Sequence, residues 1–265
     1  MMKIKSIFYV FCVFSILLCA CSGYQKVLKS SDLNYKFEKG LEYYANEDFI
    51  KAFPLFDELL LLYRGTDKAE EVYYFYCKTE YKKGNLLSAA YHFNNFSNTY
   101  KTNKHTEECA YLNVYCYYLL SPKHSLDQLS TYKALDEIDV FLDKYPSSSY
   151  VVKCLDLKLK LEYKIEKKSF ENAKLYFTTE NYKSAIHALN QTLLEYQNSF
   201  FKEEILFLLL KSHYLLAENS VEEKKDKRIK DTIFAFNQFK NSYPESNYKS
   251  ESKRIFKQAK LLRKN

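Results

Sequence analysis

Tyr44-Ala45-Asn46-Glu47-Asp48-Phe49-Ile50-Lys51-Ala52-Phe53-Pro54-Leu55-Phe56 and Tyr81-Lys82-Lys83-Gly84-Asn85-Leu86-Leu87-Ser88-Ala89-Ala90-Tyr91-His92-Phe93 are one pattern written twice, 37 residues apart. Tyr44 falls over Tyr81, Ala52 over Ala89 and Phe56 over Phe93; further on, Leu59 meets Phe96 and Tyr63 meets Tyr100. Internal periods of this length mark stacked supersecondary units, each unable to bury its apolar face alone. The frame returns at Ala134, Ile138, Phe141, Tyr145 and Pro146. It returns again at Ala173, Tyr176, Tyr182, Ala185, Leu189, Thr192 and Tyr196, and at Thr232, Phe236, Phe239, Tyr243 and Pro244. Spacings of three and four place these residues on one helical stripe. The small residues of the first helix (Gly40, Cys77, Ala173) and of the second (Ala52, Ala89, Ala134, Ala185) allow the two to approach closely.

A small residue followed by an aromatic near the turn, then A-x3-F and a closing tyrosine, is similar to the tetratricopeptide (TPR) repeat. The expected fold is therefore all-α, a TPR-type helical solenoid of about five helix-turn-helix repeats. The repeats are read at about 33–66, 70–103, 107–148, 150–199 and 203–246 within an array spanning 33–248, with a basic helix at 249–265. Tyr-Pro should stop the second helix, because the residue before proline disfavours the α conformation. Arg64, Lys101 and Gln197 replace that proline in three copies, and Pro54 lies inside a second helix, where a kink is expected. Closing tyrosines are 37, 45, 51 and 47 residues apart. These spacings exceed the usual 34. The extra length is placed at Ser121–Tyr132, in a long first helix from about Tyr150 to Phe177, and at Ser220–Lys230.

Composition agrees with helices. Gly and Pro number four each against 26 Tyr and 20 Phe, too few turn formers for an all-β domain. A hydrophobic fraction of 47% with a mean hydropathy of −0.43 means apolar stripes rather than apolar spans.

The amino terminus carries a different signal. Lys3 and Lys5 precede the apolar run Ile7–Leu18, which ends in Leu18-Cys19-Ala20-Cys21. A run of 12 residues is too short to cross a bilayer, which needs about 20. A basic start, a short apolar run and a small residue before the cut describe a signal peptide. This one resembles the bacterial lipoprotein signal: residues 1–20 would be removed, and Cys21 would be acylated and become the first mature residue. Ser22 in the following position fits release to the outer membrane. Residues 21–32 would form a tether; the 11 residues Ser22–Asp32 reach at most about 40 Å when extended. Without Lys3 and Lys5 the formal charge of +7 falls to +5, a mild excess suited to an anionic membrane or an acidic protein; an exported chain makes nucleic acid a poor partner.

Four cysteines remain: Cys77, Cys109, Cys116 and Cys154. On one helix Cys109 and Cys116 are about 10.5 Å apart, beyond the reach of about 7 Å that a disulfide allows; a Cys77–Cys154 bridge stays open. His105 and Cys109 are four apart with Cys116 two turns on, but no fourth ligand accompanies them, and they read as a loop histidine and buried thiols. Glycines at 23, 40, 65 and 84 form no phosphate-cradling loop, no HExxH is present, and no cofactor motif or catalytic constellation stands out. A binding scaffold is expected, not an enzyme.

Lipid signal, tether, irregular TPR units and basic carboxy-terminal helix together resemble the BamD family of outer-membrane assembly lipoproteins. The most family-like stretches are Asp127–Ala134 with Phe141–Ser148, and Tyr182–Ile186. The resemblance implies a lipid-anchored subunit of the outer membrane facing the periplasm. It would dock on the POTRA domains of the barrel subunit BamA, beside other assembly lipoproteins, and receive unfolded barrel proteins through their aromatic carboxy-terminal signals. A periplasmic TPR adaptor for envelope growth or secretion is the alternative. TPR register places Phe37, Leu41, Tyr44, Tyr74, Lys78 and Tyr81 on a peptide groove, where aromatic walls beside a lysine suit an aromatic peptide ending in a carboxylate. Lys253, Arg254, Lys257 and Lys260, interleaved with Ile255, Phe256, Ala259 and Leu262, make a basic face over an apolar stripe and suit docking to an acidic partner.

Overall fold

The computed structural model describes residues 23–262. Beyond a short helical stretch at 23–28, eleven helices follow one another: α1 (Leu33–Ala45), α2 (Phe49–Leu62), α3 (Ala69–Lys82), α4 (Leu86–Thr99), α5 (Thr106–Leu120), α6 (Leu129–Lys144), α7 (Val151–Thr178), α8 (Tyr182–Glu195), α9 (Lys202–Glu218), α10 (Glu222–Ser242) and α11 (Lys249–Leu261). None of the described helices is long and apolar enough to cross a membrane. Two compact units are formed, one by the residues up to Ser121 with Leu129–Leu157, the other by Pro122–Gln128 and the chain from Lys158 on.

In the first unit each helix from α1 to α5 packs on its successor, and α1 also touches α3. This is the connectivity of stacked helix hairpins, as the TPR pattern requires. The alanines are its contact points: Ala52, Ala89 and Ala134 are fully buried. A Cβ on Gly40 would lie 2.9 Å from Cε1 of Phe56, so only glycine lets α1 approach that ring. Phe56 in turn stacks on Phe75 at 5.7 Å.

The turn between paired helices is built alike in three repeats. Glu47, Gly84 and Glu180, each five residues before the conserved-register alanine, adopt positive φ of 59°, 84° and 60°. Around them Asp48, Asn85 and Asn181 donate their N–H to the carbonyls of Tyr43, Glu80 and Tyr176. This is a Schellman-type end, in which a left-handed residue satisfies the last carbonyls of a helix.

The second helix ends at its tyrosine in all five repeats. The N–H groups of Tyr63, Tyr100, Tyr145, Tyr196 and Tyr243 close the last helical turn, and their carbonyls accept from Thr66, Asn103, Ser148, Ser199 and Ser246. Proline is therefore not the stop: helices followed by Arg64, Lys101 and Gln197 end in the same way. Pro54 sits on an exposed position, and α2 runs on through it to Leu62. Ser220–Lys230 is mostly helix, because the extra residues lengthen α10 at its start. The other expected insertion is irregular only through Gln128, whose amide donates to the carbonyls of Lys123 and Leu126.

In the second unit α9 is the centre, packed against α8, α10 and α11. Ile205, Leu206, Phe207, Leu208, Leu209 and Leu210 are all buried, and a helix that is apolar all round belongs inside. Parallel ring stacks fix its neighbours: Phe170 on Phe201 at 4.8 Å, Phe207 on Tyr248 at 4.2 Å and Phe236 on Phe256 at 4.3 Å. All four described cysteines are buried and free, so no Cys77–Cys154 bridge forms. Burial pushes the Cys116 thiol up to about 12 and that of Cys154 to about 11.

Residues 23–32 correct the expectation of an extended tether. Tyr24 meets Tyr43 edge to face at 5.5 Å and donates its hydroxyl to the Lys51 carbonyl at 3.0 Å, while Val27 is 3% exposed. The stretch is folded onto the first repeat because its own apolar side chains bury there.

Candidate peptide-binding cleft

A cleft of about 700 Å³ opens in the first unit among the end of α1, the outer face of α3 and the loop that enters α5. Tyr44, Tyr74 and Phe75 supply aromatic wall, Asp67, Glu70 and Glu71 an acidic rim, and Lys78, Lys104 and His105 its bases. Glu70 and Glu71 stand in the first turn of α3, where the helix dipole favours negative charge.

Glu108, behind the lining, ties three of its side chains together. One carboxylate oxygen takes the Lys78 ammonium at 2.8 Å; the other accepts the Tyr74 hydroxyl at 2.9 Å and lies 3.2 Å from Nδ1 of His105. The His105 ring stacks on Tyr74 at 3.9 Å. Burial alone would raise the Glu108 carboxyl; the hydrogen bond and charge of Lys78, joined by Tyr74 and His105, outweigh it and hold the group below the usual carboxylate range. Burial, and then the Glu108 charge, raise Tyr74 strongly, so its hydroxyl stays a donor.

Of the six groove residues expected from register, Tyr44, Tyr74 and Lys78 come together here. Tyr74 is only 9% exposed. Phe37 does not belong to the groove. It is 2% exposed, in ring contact with Phe56 and Phe75, because its position faces the neighbouring helices of the repeat. Leu41 and Tyr81 are half-buried against the same core. Sequence reading missed Glu108 altogether. Its signal was the i,i+3 spacing from His105, which had drawn attention only as a metal question; among the described residues no three ligating side chains gather.

The basic helix α11 buries Ser252, Ile255 and Ala259 against α9 and α10 and leaves Lys253, Arg254, Lys257 and Lys260 exposed. Arg254 approaches Glu251 at 3.7 Å, and Lys260 lies 4.3 Å from the Phe256 ring centre. A small hollow of about 160 Å³ beside this face is lined by Phe239, Tyr243, Pro244 and Lys253 among others. Cys21, Arg263 and Lys264 lie outside the described residues.

Comparison with known proteins places these features. A relative described as outer membrane protein assembly factor BamD, from Rickettsia prowazekii (strain Madrid E), is 23% identical over 167 residues, 62% of this chain and 61% of that protein. The match thus spans about three fifths of the relative's length. A solved complex of the yeast Sti1 TPR2AB domain with pHSP90 is similar at a TM-score of 0.42 and 14% identity, covering 87% of this chain and 99% of that one. The family model described as YfiO, outer membrane lipoprotein, matches residues 30–229, from the start of the first repeat into α10. With most of its helical array inside that match, the chain belongs to the YfiO family of outer membrane lipoproteins.

Proposed function

We propose that this chain is a lipid-anchored, periplasm-facing scaffold of the outer-membrane β-barrel assembly machinery, non-catalytic and without cofactor. It binds the POTRA domains of the barrel subunit and the signals of unfolded barrel proteins. The observation that carries the reading is the family match across 30–229. Two surfaces supply means: the aromatic cleft for an extended segment, and the exposed basic face of α11 for a partner. Lipid on Cys21 supplies the location, and two or three acyl chains at about 0.8 kcal/mol per buried CH₂ give lasting retention.

Lys78 does not wait empty for a peptide carboxylate, since Glu108 already holds it. An incoming carboxylate gains the lysine and the tyrosine hydroxyl by exchange with Glu108, while rings of the peptide pack on Tyr44 and Phe75. Lys78→Met with Tyr44→Ala is the cleaner probe; Lys78→Glu would set two carboxylates face to face.

Purification of the full chain from detergent-solubilised outer membranes, followed by mass spectrometry, tests the whole reading. A large barrel protein with several POTRA domains is expected. Recovery of peptidoglycan-synthesis or division proteins in its place overturns it.

A further inference from the structure

The folded stretch after Cys21 restricts where the membrane can be. Tyr24 is held at both ends of its side chain, by the Tyr43 ring at 5.5 Å and by the Lys51 carbonyl at 3.0 Å, and Val27 is buried. Cys21 is three residues from Tyr24, a span of no more than about 11 Å. Acyl chains on Cys21 therefore enter a bilayer next to the α1–α2 turn, not at the end of a loose 40 Å leash. Ile50, in the first turn of α2 beside Lys51, is 80% exposed, the most exposed large apolar side chain among the described residues. Lys26 and Lys29 on the preceding stretch are exposed as well. Lys51 of the same turn is paired with Asp48; an exposed apolar side chain close to a lipid anchor, with Lys26 and Lys29 on the stretch that joins the two, is what a phospholipid surface accepts.

We propose that the first turn of α2, with Ile50 at its tip, is a membrane-contacting surface, joined to the lipid anchor by the stretch that carries Lys26 and Lys29 and is clipped in place by Tyr24 and Val27. The clip removes slack, so the anchor orients the first repeat as well as retaining it. This rests on lipid attachment at Cys21.

The test uses the full lipidated chain in vesicles of phosphatidylethanolamine with phosphatidylglycerol. Cysteines introduced at Ile50→Cys and, separately, Leu61→Cys carry a fluorophore; the native thiols at 77, 109, 116 and 154 are buried and stay unlabelled. Leu61 is 75% exposed and lies 11 residues along α2, about 16 Å away. Quenching by acrylamide at position 50 should fall several-fold relative to the soluble Cys21→Ser form, while position 61 is unchanged. Tyr24→Ala with Val27→Ser should restore quenching at 50 without loss of vesicle flotation. A lipidated chain whose label at 50 is quenched equally in vesicles and in solution overturns the surface alone. A mature chain shown by mass to lack lipid on Cys21 overturns the anchor, and the clip with it.

Discussion

Glu108 is a carboxylate with three donors and no vacancy, and its acid limit follows from them. The folded pKa lies below the ordinary 4.5, so its stabilisation is complete above about pH 4.5 and is lost as pH falls through the depressed value. Glu108→Gln should flatten this limb of a thermal-denaturation series and, if carboxylate exchange operates, tighten binding of aromatic peptides with a free carboxy terminus over their amides. His213 acts at higher pH. Burial in α9 lowers its pKa from 6.5, against a smaller opposing pull from Asp231. Below pH 6.5 the unfolded chain takes up a proton that the folded one refuses, so stability declines as pH falls until the folded histidine titrates. His213→Gln should reduce that decline, read as melting temperature between pH 7 and 5. Neither residue is legible as special in the sequence: Glu108 acts mainly through Lys78 and Tyr74, 30 and 34 residues away, and His213 through partial burial in α9.

Within the helices, close approach and turn geometry decide. Alanine favours a helix over glycine by about 1 kcal/mol, yet Gly40→Ala meets a ring that is itself boxed in by Phe37 and Phe75. Overpacking of this kind costs about 1–3 kcal/mol, so chemical denaturation should show a net loss, relieved by Phe56→Leu. Glu47 and Glu180 hold a backbone conformation that costs an L-residue about 1–2 kcal/mol. Glu180→Gly should stabilise by roughly 0.5–1 kcal/mol after the added unfolded-state freedom is subtracted, and Gly84→Ala should do the reverse. Periodicity made the helical repeat readable, since alternate spacings of three and four demand it. It did not reveal the stops. Proline is visible in the sequence, yet every second helix ends alike with or without it, at a tyrosine whose carbonyl accepts the backbone N–H three residues on, a bond that leaves little trace in composition. In the same way Ser220–Lys230, polar and charged, read as an insertion and is the exposed start of α10.

At the scale of the whole molecule, charge and order of assembly matter most. If α11 docks on an acidic partner, Lys253→Glu with Lys257→Glu should abolish co-purification of that partner, and the wild-type complex should weaken with salt, because exposed charges are screened beyond about 8 Å at physiological ionic strength. Circular dichroism should be unchanged, since both side chains are exposed and Ile255 and Ala259 hold the helix in place. The fold class was legible in the repeats; which lysines are free was not, as Lys78 and Lys36 show by their pairing with Glu108 and Glu58.

The six consecutive buried residues of α9 also impose a sequence in time. A chain is made amino terminus first, and the first unit has nearly all of its helices before α9 appears. α9 then arrives with α8 to cover one side only, while α10 and α11 are still to come. For that interval Ile205–Leu210 is an uncovered run of apolar side chains, and a nonsense truncation within α10 would make the interval permanent.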